Sequence, residues 1–248
     1  MGGKVLKRYV PMVAIDVATK EEAVKLFDEL DVTPKPIVKI GMEMYYGLGQ
    51  EIVREAQKRG FKIFLDLKLY DIPNTVHRAM AAIGRLGIDF TTIHAAGGTE
   101  MLTAGLAGLE EGAVQAGVRP AKLLAITQLT SIDDEILHDQ QHVDLSLIES
   151  VQNYAQLAES VGLAGVICSA HELPAIRQVT RPDFLCITPG IRPSLAVHDD
   201  QKRVVTPAQA RELGSNGIVV GRPITQSADP VAAYQQIQQA FLANEEEK

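Results

Sequence analysis

Short runs of aliphatic and β-branched residues recur along the chain, and each is followed by a longer stretch whose apolar positions keep helical spacing. The runs are VPMVAIDV (10–17), PIVKIGM (36–42), KIFLDLKLY (62–70), DFTTIHA (89–95), KLLAITQL (122–129), AGVICSA (164–170), FLCITPG (184–190) and GIVVGRPI (217–224). Their near-continuous apolar character predicts strands covered on both faces, as in a parallel sheet. Between them, Thr19 with Glu22 three residues on predicts a capped helix over KEEAVKLFDEL. Asn74 is the expected cap of TVHRAMAAIGRLG, with Gly87 as its stop, and ADPVAAYQQIQQAFL makes the last helix.

Eight such units in 248 residues average roughly 31 residues, the size of a strand–helix repeat. No Gly/Ser linker or break in composition divides them. The expected fold is therefore one (β/α)8 barrel over 1–248, with a frayed acidic tail at 244–248. A doubly wound sheet is the competing architecture, but no G-x-G-x-x-G turn follows the first strand. Segments 131–150 and 191–206 lack clear periodicity, and the second, after the seventh strand, is an expected lid.

Composition narrows the function. Hydrophobic residues make up 46 % and charged residues 22 % of the chain, which is ordinary for a globular protein. A net charge of −7 and the absence of Trp argue against a nucleic-acid surface, which needs a basic stripe or stacking platforms. No run approaches the ~20 apolar residues of a membrane span. The N-terminal stretch has no signal-peptide pattern, so a soluble cytoplasmic protein is expected. Cys168 and Cys186 lie in apolar runs and read as buried, reduced thiols.

In a barrel, chemistry sits at the C-terminal ends of the strands. The charges there are Asp16, Lys39, Asp66 and Lys68, with Asp71 just beyond the third strand. With a side-chain period of two, Phe64, Asp66 and Lys68 share one face and Leu65, Leu67 and Leu69 the other. The leucines then pack outward and the charged pair points into the barrel mouth. An ion pair that merely braces the barrel is a poorer reading, because desolvation offsets much of its Coulomb gain. Asp71 has the wrong parity for this face: its loop folds back, it serves a site on another chain, or it is a plain solvated loop acid. His94 reads as a hydrogen-bonded strand-end histidine and is left out of the site.

Two Gly-Arg pairs, Gly190 before Ile191-Arg192 and Gly221-Arg222, end the seventh and eighth strands, where barrels build phosphate sites. Metal binding fares worse. Asp16, Asp66, Asp71 and His94 carry suitable ligand atoms, but Lys39 and Lys68 among them repel a divalent cation, and neither Cys has zinc-ligand spacing. No metal is expected, and no cofactor motif is present.

The run DLKLYDIPNT (66–75) resembles the orotidine 5′-phosphate decarboxylase family. AIDV, IVKIG, LTS, VICSA, TPGIRP, DDQKR and VVGRPIT extend that resemblance in order along nearly the whole chain. One departure is Tyr70, where His is expected. The resemblance implies decarboxylation of orotidine 5′-phosphate to UMP and carbon dioxide in pyrimidine biosynthesis, without a cofactor. It implies that Lys68 protonates C6 and that Asp66 lies beside the substrate carboxylate. Asp16 and Lys39 would hold ribose hydroxyls, with Lys39 also tied into the charge array, and Thr130 would meet the pyrimidine. Arg192, Gln201, Gly221 and Arg222 would hold the phosphate. Asp71 and Thr75 would reach the neighbouring subunit's site, making the enzyme a homodimer. Two other readings are a magnesium-dependent keto-sugar-phosphate decarboxylase or aldolase of the same superfamily, and a non-catalytic nucleotide-binding barrel. The first needs an acidic ligand where this chain has Lys39; the second has no use for Asp66, Lys68 and Asp71 together.

Overall fold

The computed structural model describes residues 6–193 and 204–243. Gln201, the DDQKR run around it and the tail 244–248 lie outside the described residues. The eight strands are β1 (Met12–Ala14), β2 (Ile37–Gly41), β3 (Lys62–Leu69), β4 (Phe90–His94), β5 (Lys122–Ile126), β6 (Gly165–Ile167), β7 (Leu185–Thr188) and β8 (Gly217–Val220). Each pairs in parallel with the next, and β1 pairs with β8 to close the barrel. That closure excludes the doubly wound sheet.

The helices are α1 (Lys20–Glu29), α2 (Met42–Leu48), α3 (Gln50–Lys58), α4 (Pro73–Gly84), α5 (Gly98–Ala116), α6 (Leu147–Val161), α7 (Leu173–Val179), α8 (Pro207–Glu212), α9 (Arg222–Thr225) and α10 (Pro230–Leu242). Among the described residues none is long and apolar enough to cross a membrane. Thr19 and Glu22 form the expected reciprocal cap of α1.

Four local expectations change. Asn74 does not cap α4: Ile72 holds the N-cap and Pro73 the first turn, where a missing N–H costs nothing. The helix ends at Gly84, and Gly87 instead serves the loop beyond it with φ +67°. The segment 131–150 is not wholly irregular, since it holds a π-helical turn, Ile136–Gln140, and the Ser146–Glu149 capping box that starts α6. The ladders are also shorter than the apolar runs. GIVVGRPI leaves the sheet after Val220, because Arg222 already begins α9.

Period-two alternation sorts the side chains into two cores. Met12, Phe64, Phe90, Leu124, Ile187 and Val219 point inward and fill the barrel floor. Their sequence neighbours, such as Val13, Ile63, Leu65, Leu123 and Ile218, point outward and pack under the helices. One step further up the inner face of three strands come Lys39 above Ile37, Asp66 above Phe64 and Thr92 above Phe90. The apolar floor therefore gives way to polar groups within two residues.

On the outer wall α4 and α5 meet backbone to backbone. A methyl group on Gly108 would lie 2.1 Å from the His77 carbonyl oxygen, and one on Gly112 would lie 2.0 Å from that of Ala81. Gly112→Ala is therefore expected to force the helices apart, at a cost of about 1–3 kcal/mol or more. That outweighs the roughly 1 kcal/mol gained in helix propensity. A urea midpoint at or above that of the parent protein would contradict this packing.

Candidate active site

The C-terminal mouth of the barrel opens into a cavity of about 490 Å³, within the usual size of small-molecule sites. Asp16, Lys39, Asp66, Lys68, Thr130, Arg192, Gly221 and Arg222 all line it. Eight expected site residues from six strand ends thus meet in one place. Asp71 and Thr75 do not join them: both are exposed, at the entrance to α4 and on its first turn, outside the cavity lining. His94 also lies outside the lining and packs at a tilt against Tyr70, with ring centroids 5.6 Å apart.

Asp66 is the hub. Its carboxylate receives the Lys68 ammonium at 2.7 Å, the Thr92 hydroxyl at 2.9 Å and an ion pair from Lys39 at 3.8 Å. Lys39 also reaches Asp16 at 3.3 Å, so two carboxylates and two ammonium groups form one chain of charge across β1, β2 and β3. Gly41 leaves room for it, since a methyl there would lie 3.0 Å from Asp16 Oδ1 and 3.3 Å from Lys39 Nζ. Asp66 is only 8 % exposed. Burial pushes its carboxyl up, but Lys39, Lys68 and the hydrogen bonds from Lys68 and Thr92 outweigh burial and hold it below the usual carboxylate range. Burial, aided by Lys68, likewise holds the His94 imidazole below its ordinary value.

Lys68 reaches the mouth by a route that simple alternation does not describe. Between Leu65 and Leu69, β3 spends four steps where β4 spends two (Thr91 to Ile93), so β3 bulges. Lys68 sits in the bulge with φ +50°, in the left-handed region that a non-glycine residue seldom occupies.

At the opposite wall Arg192 is 6 % exposed and donates from Nη1 to the Ile191 carbonyl. The base of the segment it opens is pinned by Arg192 N–H to Val205 O and Val205 N–H to Gly190 O. Gly221 precedes the short helix α9, which places Arg222 at the cavity rim. Residues that charge-based reasoning missed include Gln128 and Gln226, which also line the cavity, and Thr92 beneath it. Gln128 lies just past the end of β5, a positional signal available without any charge, whereas Thr92 lies mid-strand in β4 and carries no such signal.

A closed eight-stranded α/β barrel with a charged, small-molecule-sized cavity at its C-terminal mouth defines the class: a barrel with the site layout of an enzyme. Comparison with known proteins is more specific. Residues 10–237 match the model of the orotidine 5′-phosphate decarboxylase / HUMPS family, and the chain belongs to that family. It is 54 % identical over 226 residues to an orotidine 5′-phosphate decarboxylase of Latilactobacillus sakei, covering 91 % of this chain and 95 % of that one. It is 53 % identical to the one from Lactiplantibacillus plantarum, with the same coverage. The crystal structure of the Lactobacillus acidophilus orotidine 5′-phosphate decarboxylase superposes with a TM-score of 0.84 at 42 % identity. That match covers 94 % of this chain and 99 % of that one.

The Asp66 environment generates a pH prediction. A carboxyl whose folded value is lowered stabilises the fold fully above its unfolded value, near pH 4. That stability is lost as pH falls through the lower folded value. Asp66→Asn takes the carboxylate away from both Lys39 and Lys68, so it is expected to cost roughly 3–5 kcal/mol at pH 7. The gap to the parent protein should begin to narrow near pH 4 and go on narrowing as pH falls toward the lower folded value. Urea midpoints measured from pH 7 to pH 3 check this, and a gap that stays constant with pH would refute it.

Proposed function

We propose that this protein decarboxylates orotidine 5′-phosphate to UMP and carbon dioxide, with Lys68 as the proton donor to C6. The observation that carries the reading is the Asp16–Lys39–Asp66–Lys68 charge chain at the mouth of a barrel of this family. It agrees with the printed names of the relatives. The C6–carboxylate bond breaks, carbon dioxide leaves, and the electron pair stays on C6. The Lys68 ammonium, preorganised in a pocket floored by apolar side chains, stabilises that pair and then transfers its proton to form the C6–H bond. Asp66 faces the departing carboxylate, where like charges 4 Å apart repel by on the order of 4 kcal/mol at an effective dielectric of ~20. That repulsion is relieved as neutral carbon dioxide forms.

Asp16 and Lys39 take the ribose hydroxyls and Thr130 the pyrimidine. Arg192, Gly221 and Arg222 take the phosphate, together with Gln201. Binding energy from this remote phosphate supports chemistry at C6. The working unit is a homodimer in which Asp71 and Thr75 complete the site of the neighbouring subunit. The exposure of Asp71, between Tyr70 at 63 % and Ile72 at 66 % exposure, supports that assignment. The magnesium-dependent sugar-phosphate reading is disfavoured by Lys39, whose ammonium stands between Asp16 and Asp66 where that chemistry needs an acidic ligand.

The test is loss of the orotate-type ultraviolet absorbance when purified protein meets orotidine 5′-phosphate, with and without EDTA. Rapid loss that EDTA leaves unchanged is expected; no loss from folded protein would overturn the reading. Lys68→Ala should lower turnover by at least about 10²–10⁴-fold while the protein stays folded; substantial residual turnover removes Lys68 from the acid role. Inactive Asp66→Asn and Asp71→Asn chains, once mixed and exchanged, should regain activity in about a quarter of all sites, because one site of each hybrid dimer carries both parent residues. Confirmed exchange without recovery would rule out a shared site.

A further inference from the structure

We infer that Thr92 is a positioning residue for the reaction, because its buried hydroxyl joins the backbone of Lys68 to the carboxylate that the Lys68 ammonium pairs with. The inference rests on the reading in which Lys68 donates the proton. Thr92 lies outside the cavity lining and is fully buried on β4, where pairing with Leu124 of β5 fixes its backbone. Its Oγ1 accepts the Lys68 backbone N–H at 2.9 Å and donates to Asp66 Oδ1 at 2.9 Å. A hydroxyl has one proton, and an ionised carboxylate can only accept. The proton is therefore committed to Asp66 and a lone pair to the Lys68 amide, so the direction of both bonds is fixed.

The geometry explains why this link is needed. The bulge in β3 takes the Lys68 amide out of the regular ladder and puts Lys68 at φ +50°. Such a conformation persists only where surrounding groups hold it. Thr92 gives the displaced amide an acceptor and at the same time fixes the Asp66 oxygen nearest to it, leaving Asp66 Oδ2 for the Lys68 ammonium at 2.7 Å. The backbone amide and the ammonium of Lys68 are thereby tied, directly or through Asp66, to one β-branched residue whose own side-chain rotation is restricted.

Thr92→Val keeps the shape and removes the hydroxyl; Thr92→Ser keeps the hydroxyl. Thr92→Val is expected to lower kcat about 100-fold, the size of effect that a misplacement near 1 Å produces, while KM changes less than about threefold. Thr92→Ser should stay within about fivefold of the parent kcat, since the hydroxyl alone carries the link. A Thr92→Val protein with parent kcat, when Lys68→Ala is inactive, overturns the inference; so does a Thr92→Ser protein as slow as Thr92→Val. Retained turnover in Lys68→Ala would instead defeat the proton-donor reading on which the inference stands. Should Thr92→Val fail to fold by circular dichroism, Thr92→Cys replaces it: a kcat below that of Thr92→Ser supports the link, and one equal to or above it refutes it.

Discussion

A carboxylate buried between two ammonium groups is the constraint around which this barrel is arranged. Taken out of water alone, Asp66 would be heavily penalised and would neutralise itself. It stays ionised because Lys68, Lys39 and Thr92 converge on it from β2, β3 and β4. Removing either ammonium strips compensating charge from a carboxylate in a nearly dry place, and removing the hydroxyl leaves one of its oxygens short of a donor. An apolar trio of similar volume would hold the strands together at least as well, so stability does not account for the array. Its presence is explained by a site that requires fixed charge of both signs within one cavity.

The barrel supplies that site through alternation. Each strand lifts its inner face by two residues per step, and the step from Phe64 to Asp66 or from Ile37 to Lys39 crosses from packed floor to charged mouth. The floor does more than fill space. Met12, Phe64, Phe90 and their neighbours exclude water from below, which strengthens every interaction among the charges above them. The outer wall is built to a different rule, with backbone contact between α4 and α5 through Gly108 and Gly112. Helix α4 begins two residues after Asp71, so the packing of that wall also sets where the exposed acid is presented.

Much of this was legible in the residues. Eight apolar runs at regular spacing gave the barrel, and lone charges in those runs gave the cavity. Both inferences work because burying a charge is costly enough that the sequence must advertise it. What stayed hidden was uncharged or geometric. Thr92 reads as an ordinary β-branched strand residue, and nothing in DFTTIHA marks the second threonine above the first. The β3 bulge was invisible because its left-handed residue is Lys68, whereas such positions are usually betrayed by glycine. Pro73 displaced Asn74 from the cap because a fixed φ and an absent N–H suit the first helical turn better than a side-chain acceptor does. Asp71 and Thr75 were expected at a site, yet a single chain leaves both facing outward.

On the proposed reading, the same array that constrains the fold also governs the reaction. Asp16 and Asp66 balance Lys39 and Lys68 before substrate arrives, so the array itself carries no net formal charge. A substrate carboxylate entering beside Asp66 adds negative charge on the side of the array that already holds a carboxylate. When carbon dioxide departs, that charge does not leave the cavity; it passes to C6, next to the Lys68 ammonium. The electrostatic gain therefore appears as the bond breaks, which is when it lowers the barrier rather than merely tightening binding. The gain depends on where the ammonium stands when the charge arrives. That position is set by the bulge in β3 and the threonine beneath it, and neither carries any charge of its own.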